Sequence, residues 1–157
     1  MMIKRILPWV IFGFLLVLFV VGYSYKDSMN RHISKMMRDQ ATPELKKEGS
    51  NIVDSLYNYS ANGLGYQITF LEFGAKGCTA CKRMEPVLDE IRNAYTQKVN
   101  VVFLNVLLPE NQNLMKYYGI ATIPTQVLLD KNGKEYFRHS GYYSFEDLVR
   151  EIEVSDK

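Results

Sequence analysis

Cysteine and histidine are scarce in this chain: its 157 residues include two of each. A closed zinc site takes four ligands, and His32 and His139 fall in a polar N-terminal stretch and a predicted hairpin, neither beside the cysteines. Haem attachment through Cys-x-x-Cys needs a histidine directly after the second cysteine, and Lys82 stands there instead. Excess charge is lacking as well. The 19 basic and 17 acidic residues leave a formal charge of +2, which Lys4 and Arg5 account for. With no basic stripe to hold phosphates, nucleic acid is excluded as a partner.

The longest absence is of charge along residues 6–25. That is about the 20 residues a helix needs to cross a bilayer core. Pro8 sits near the start, where helices tolerate it, and Trp9, Tyr23 and Tyr25 would occupy the two interfaces. A cleaved signal peptide is the competing reading, but its apolar core is usually about 7–15 residues ahead of a small-x-small site. Only Gly22-Tyr23-Ser24 approaches such a site, and no cysteine follows to take a lipid. Residues 1–25 are therefore read as an uncleaved single-pass anchor in the cell membrane. Lys4 and Arg5 favour a cytoplasmic N-terminus, against Lys26, Arg31, Lys35 and Arg38 on the other side. Long domains translocate largely regardless of such charges, so the expected location of the rest is extracytoplasmic, periplasmic or on the outer face.

Residues 26–65 read as a polar stalk and an accessory helix. Met29, Ile33, Met36 and Met37 recur at helical spacing, which suits helix packing better than copper, and Thr42-Pro43-Glu44 is a helix start with Thr42 as N-cap. A compact domain is expected over 66–157, enough for one core. Residues 68–73 form a buried strand; Met84, Val87, Leu88, Ile91 and Tyr95 mark a helix; 99–107 and 125–129 are further strands, with a short helix at 111–118 between them. Asp130-Lys131-Asn132-Gly133 turns into a hairpin partner at 134–139, and Ser144 caps a last helix. The order β-α-β-α-β-β-α implies an α/β fold with a central mixed sheet flanked by helices.

Both cysteines lie in Cys78-Thr79-Ala80-Cys81, between the first strand and the helix. Two thiols three positions apart at such a junction can form a reversible disulfide and carry electrons. The same spacing also supplies half a metal site or a structural staple, although a staple closing two residues constrains little. Thiolate character is expected at Cys78, where free N–H groups of the helix N-terminus favour the anion. Cys81, one turn inward, would resolve a mixed disulfide.

Residues 66–157 resemble the thioredoxin family. The match runs through Glu72-Phe73, Cys78-Thr79-Ala80-Cys81-Lys82, Pro86, Tyr118-Gly119-Ile120, Ile123-Pro124-Thr125, Asn132-Gly133 and Gly141. With the apolar N-terminus, the chain is similar to membrane-tethered extracytoplasmic thioredoxins, many of which work beside cytochrome-c maturation or a membrane electron carrier. The resemblance implies a thioredoxin-like fold, thiol–disulfide oxidoreductase activity and no cofactor or metal beyond the Cys78–Cys81 disulfide. It also implies that Glu72 is a buried acid exchanging protons with Cys81, that Ile123-Pro124 is a cis bond facing the cysteines, and that the Ile123 backbone pairs with a bound peptide beside Gly141.

Two departures from the family pattern bear on chemistry. Gly77 replaces a tryptophan and Thr79-Ala80 replaces Gly-Pro, so these three residues tune the redox poise. The lysine that often pairs with the buried acid aligns with Phe103. The sequence is read as a reductase of cysteine-bearing extracytoplasmic proteins, fed by a membrane thiol donor and held to the lipid bilayer by its N-terminal helix. The alternatives are a disulfide oxidase or isomerase and a Cu(I) carrier using the same thiols.

Overall fold

The computed structural model describes residues 3–154. Residues 1–2 and 155–157 of the expected terminal segments lie outside the described residues, as do the side chains of Lys4, Arg5 and Lys26, used above to orient the anchor.

One helix, α1, runs from Ile3–Asp39. It carries the expected anchor segment and the start of the expected polar stalk in one continuous helix. No glycine or proline occurs between Tyr23 and Asp39, so nothing in the backbone stops propagation. Within α1, Leu7–Tyr25 is unburied with a mean hydropathy of 2.2, long and apolar enough to cross a membrane, a character that a signal sequence shares. The polar end of α1 docks on the rest of the chain. Ser34 is buried, and Arg38 Nη1 lies 3.2 Å from Glu135 Oε2.

Helix α2 (Pro43–Leu56) starts as its sequence requires: Thr42 is the N-cap and its Oγ1 accepts from the Leu45 N–H at 3.3 Å. A short α3 (Tyr59–Asn62) follows. The sheet then builds from β1 (Ile68–Gly74), β2 (Val99–Asn105), β3 (Thr125–Leu129) and β4 (Glu135–Ser140) in the order β2-β1-β3-β4. β1 and β2 are parallel, while β1–β3 and β3–β4 are antiparallel. Between strands lie α4 (Thr79–Ala94), a 3-10 turn at Pro109–Asn111 and α5 (Gln112–Tyr117), and α6 (Phe145–Val154) closes the chain.

Because β1 is buried on both faces, its alternation divides two cores rather than core from solvent. Leu71 and Phe73 join Val53, Tyr57, Leu114 and Tyr118 of the α2/α5 layer. Ile68 and Phe70 join Met84, Leu88, Ile91, Leu148 and Ile152 of the α4/α6 layer. Val53, Tyr57 and Tyr59 are each 5% exposed, so the expected domain start at 66 cuts through the packing of α2 and α3 against the sheet. Apolar residues are few in α2, and Tyr57 at its C-cap and Tyr59 in α3 add to the contact area.

Candidate active site

Register places every proposed site residue at one end of the sheet. β1 ends at Gly74, which pairs with Asn105 of β2, and Phe73 pairs with Thr125, the first residue of β3. The chain leaving β1 toward the cysteines and the chain entering β3 from Pro124 therefore meet at the same edge. Thr125 in turn pairs with Ser140, and the Gly141 N–H donates to the Pro124 carbonyl at 2.8 Å. The Ile123–Pro124 bond is cis.

Cys78 is the N-cap of α4, with extended backbone angles. Its Sγ accepts from the Cys81 N–H at 3.2 Å, the position at which serine or aspartate oxygen usually satisfies a free helix donor. The two cysteines form a disulfide, with Cα atoms 5.2 Å apart. Cys78 is half-buried and Cys81 is 4% exposed, so an approaching sulfur meets Cys78 first. Thr79 is exposed and Ala80 half-buried on the first turn of α4. Gly77 has φ +90°, a conformation that strains any residue with a Cβ. That geometry favours glycine at this position.

Glu72 and Gly74 project from β1 toward the same face, the one covered by α4. A Cβ on Gly74 would lie 3.4 Å from Cys81 Sγ and 2.7 Å from the Phe103 ring, so glycine makes room for both. Cys81 Sγ thus lies against Gly74, the residue two along β1 from Glu72 on the same face. Glu72 has no exposed surface, and its carboxyl is pushed up to about 8 by burial, offset in part by a hydrogen bond from Gln126. Phe103 pairs with Glu72 in the β1–β2 register, so no cation faces the acid from β2.

The neighbour on the other side is a residue that sequence reasoning missed. Gln126 pairs with Glu72 across β1–β3 and is fully buried. Its Nε2 donates to Glu72 Oε2 at 3.0 Å and to the Gly141 carbonyl at 3.1 Å. One amide thereby joins the buried acid to the loop bordering the cis bond. A glutamine at the second position of the Thr125–Leu129 strand, ahead of Val127-Leu128-Leu129, was the available signal. Of the flanking tyrosines, Tyr142 is exposed with Arg83 4.5 Å over its ring, whereas Tyr143 stacks on His139 at 4.4 Å. No cluster of metal-ligating side chains occurs among the described residues.

The sequence profile of the thioredoxin-like domain matches residues 56–154, beginning near the end of α2. A thioredoxin of Rickettsia felis is 40% identical over 41% of this chain, and the matched part spans 59% of that protein. A thioredoxin of Rickettsia conorii is 34% identical over 55% of this chain and 78% of its own length. Among solved structures, a mutant thioredoxin of Halobacterium salinarum superposes with a TM-score of 0.52 at 26% identity, covering 60% of this chain and 80% of its own. With a redox disulfide at the start of α4 and a profile match over most of its length, the chain belongs to the thioredoxin-like family of thiol–disulfide oxidoreductases.

Proposed function

We propose that this protein is a membrane-anchored reductase of protein disulfides on the extracytoplasmic side, with Leu7–Tyr25 as the anchor. The carrying observation is the dithiol at the α4 N-terminus, with Cys78 Sγ as the cap and Cys81 buried against Gly74, on the β1 face that also carries the buried Glu72. In the reduced protein the Cys78 thiolate, held by the Cys81 N–H and the helix N-terminus, attacks one sulfur of a substrate disulfide and releases the other as thiolate. Cys81 then passes its proton through water to Glu72, in the fraction of molecules whose carboxyl is ionised, and attacks Cys78 Sγ. The Cys78–Cys81 disulfide closes, the second substrate sulfur leaves, and two electrons have moved to the substrate.

A carboxyl near 8 lies close to the ordinary cysteine value of about 8.5, which makes that proton transfer nearly thermoneutral. Substrate backbone would pair with Ile123 ahead of the cis bond, along the groove bordered by Gly141. Gly77, Thr79 and Ala80 set the poise of the pair through the start of α4. Substrates are cysteine-bearing proteins, cytochrome-c precursors among them, and a membrane thiol carrier returns the protein to its reduced state. In an oxidising compartment the disulfide stays closed without such a supply.

The test is capture. Full-length protein with Cys81→Ser in cells should accumulate mixed disulfides on Cys78, and an absence of adducts overturns the reading. A membrane-impermeant thiol reagent should label Cys78 in intact reduced cells; labelling only after lysis reverses the orientation. A reductase requires a potential near that of thioredoxin, about −270 mV, whereas a value near about −120 mV makes the protein an oxidase.

A further inference from the structure

Beyond its apolar span, α1 carries apolar residues that the rest of the chain leaves uncovered. Met29, Ile33 and Met36 are 59%, 39% and 49% exposed, although they lie past Tyr25, the end of the stretch long enough to cross a membrane. Lipid reaches only part of this. Met29 is about 6 Å beyond Tyr25 along the helix, Ile33 about 12 Å and Met36 about 16 Å, whereas the headgroup layer outside the hydrocarbon core is about 5–8 Å deep. Ile33 and Met36 therefore stand clear of the lipid, and a single chain leaves them in water.

The fold uses a different face of the helix. Asn30 lines a groove with Ser140, Ser34 is buried, and Arg38 pairs with Glu135, so these three mark the side docked on the domain. At about 100° per residue, Met29, Ile33 and Met36 lie roughly 100–160° round the helix from Ser34. Followed back at spacings of three and four residues, the stripe runs through Tyr25, Gly22, Leu18 and Leu15, all exposed. One uncharged seam thus joins the apolar span to the polar end of α1.

We propose that the seam through Met29, Ile33 and Met36 is a self-association surface, packed in parallel against the same seam of a second copy of this chain. This rests on Leu7–Tyr25 spanning the membrane, as in the function proposed above. Two chains inserted by the same span share direction and depth, so each seam residue meets its counterpart across a two-fold axis along the membrane normal. Because the seam is uncharged, like residues meet there without repulsion, whereas a different partner would have to present a charge-free stripe at that same height. About two heptads outside the membrane are too few for a lasting pair alone. Continuity with the span lengthens the contact, and confinement to the bilayer raises the effective concentration. With the docked face turned away from the seam, the two domains stand on the outer sides of the helix pair.

Disulfide scanning in isolated membranes tests the seam without the redox chemistry. The full chain with Cys78→Ser and Cys81→Ser carries one added cysteine, Met29→Cys, Ile33→Cys or Met36→Cys on the seam, or Ser28→Cys, Arg31→Cys or Lys35→Cys off it, and is oxidised with copper phenanthroline. Covalent dimers confined to the seam positions are the expected result. Equal cross-linking on both sets, none at all, or a product with a different protein overturns the proposal. In phosphatidylethanolamine–phosphatidylglycerol vesicles, donor- and acceptor-labelled copies of the cysteine-replaced chain, each marked at Lys131→Cys, should transfer energy to one another. Met29→Ser, Ile33→Ser and Met36→Ser together should lower the dimer fraction at least about tenfold, and transfer at the parent level overturns the proposal. These three side chains cover nothing in the fold, so the variant keeps its domain. Release of the chain from membranes by alkaline carbonate would instead sink the anchor of the proposed function, whereas a chain that stays in the membrane without cross-links sinks the dimer alone.

Discussion

The side-chain amide of Gln126 donates to the carboxyl of Glu72 across 3.0 Å, with neither residue exposing any surface to solvent. The same nitrogen reaches the Gly141 carbonyl, so the amide cannot turn its oxygen toward Glu72 without placing two acceptors together at Gly141. Gln126 is thereby held as a donor, the orientation that favours an ionised Glu72.

Removing that donor should push the Glu72 carboxyl further above about 8, since burial would then act alone. Gln126→Met keeps the volume and removes the hydrogen bond. A carboxyl titration of the variant by infrared or NMR spectroscopy should show a midpoint at higher pH than in the parent, with the pH profile of disulfide exchange displaced the same way. An unchanged midpoint would remove Gln126 from the proton path.

Glu72 should also govern how stability depends on pH in the oxidised protein. Its folded value, about 8, is raised above the ordinary 4.5, so the native state holds the proton more tightly than the unfolded chain. The resulting stabilisation is complete below about pH 4.5 and is lost as pH rises toward 8, at a slope approaching about 1.4 kcal/mol per unit. Glu72→Gln should abolish that slope in urea titrations between pH 5 and 8 and leave the variant more stable at the alkaline end. The same substitution removes the proton acceptor for Cys81 and should slow resolution of a mixed disulfide roughly 100-fold.

Gly74→Ala should cost about 1–3 kcal/mol, because its Cβ would meet the Phe103 ring at 2.7 Å. Phe103→Leu in the same chain should recover most of the loss. Urea midpoints of the two single variants and the double variant measure the coupling, and additive losses would place the strain elsewhere.

Gly77→Ala, at φ +90° with open space around the missing Cβ, should destabilise by roughly 1–2 kcal/mol through the backbone alone. Gly77→Trp should lose a similar amount and not gain from resembling the cytosolic motif. Equal stability of the parent and the alanine variant in urea would show that the loop relaxes.

The strand and helix order from 68 onward was legible because each element carries its own signal. Ile68–Gly74 and Thr125–Leu129 are short apolar runs, Ser144 caps α6 by accepting from the Asp147 N–H, and the Asp130–Gly133 turn separates β3 from β4. The continuity of α1 past Lys26 was not legible from polarity, which changes there, because helical continuity depends on breakers, of which the stretch has none. The boundary at 66 overlooked Tyr57 and Tyr59, whose burial depends on a sheet that forms later in the chain.

The sequence by itself determined the dithiol, the apolar span and the family pattern, because spacing within a few residues is enough to define a Cys-x-x-Cys turn, a membrane-length run or a cap. Tertiary structure alone decided the rest. Glu72 acquired its partner only when β3 came to lie beside β1, joining residues 54 positions apart. Gly74 became a required gap only once Phe103 and Cys81 converged over it. The docking of the polar end of α1 on edge strand β4 brought together Arg38 and Glu135, 97 residues apart in the chain. Local patterns fix local conformation, whereas proton affinity, crowding and orientation depend on which distant groups share a low-dielectric interior, and only the folded chain brings those groups together.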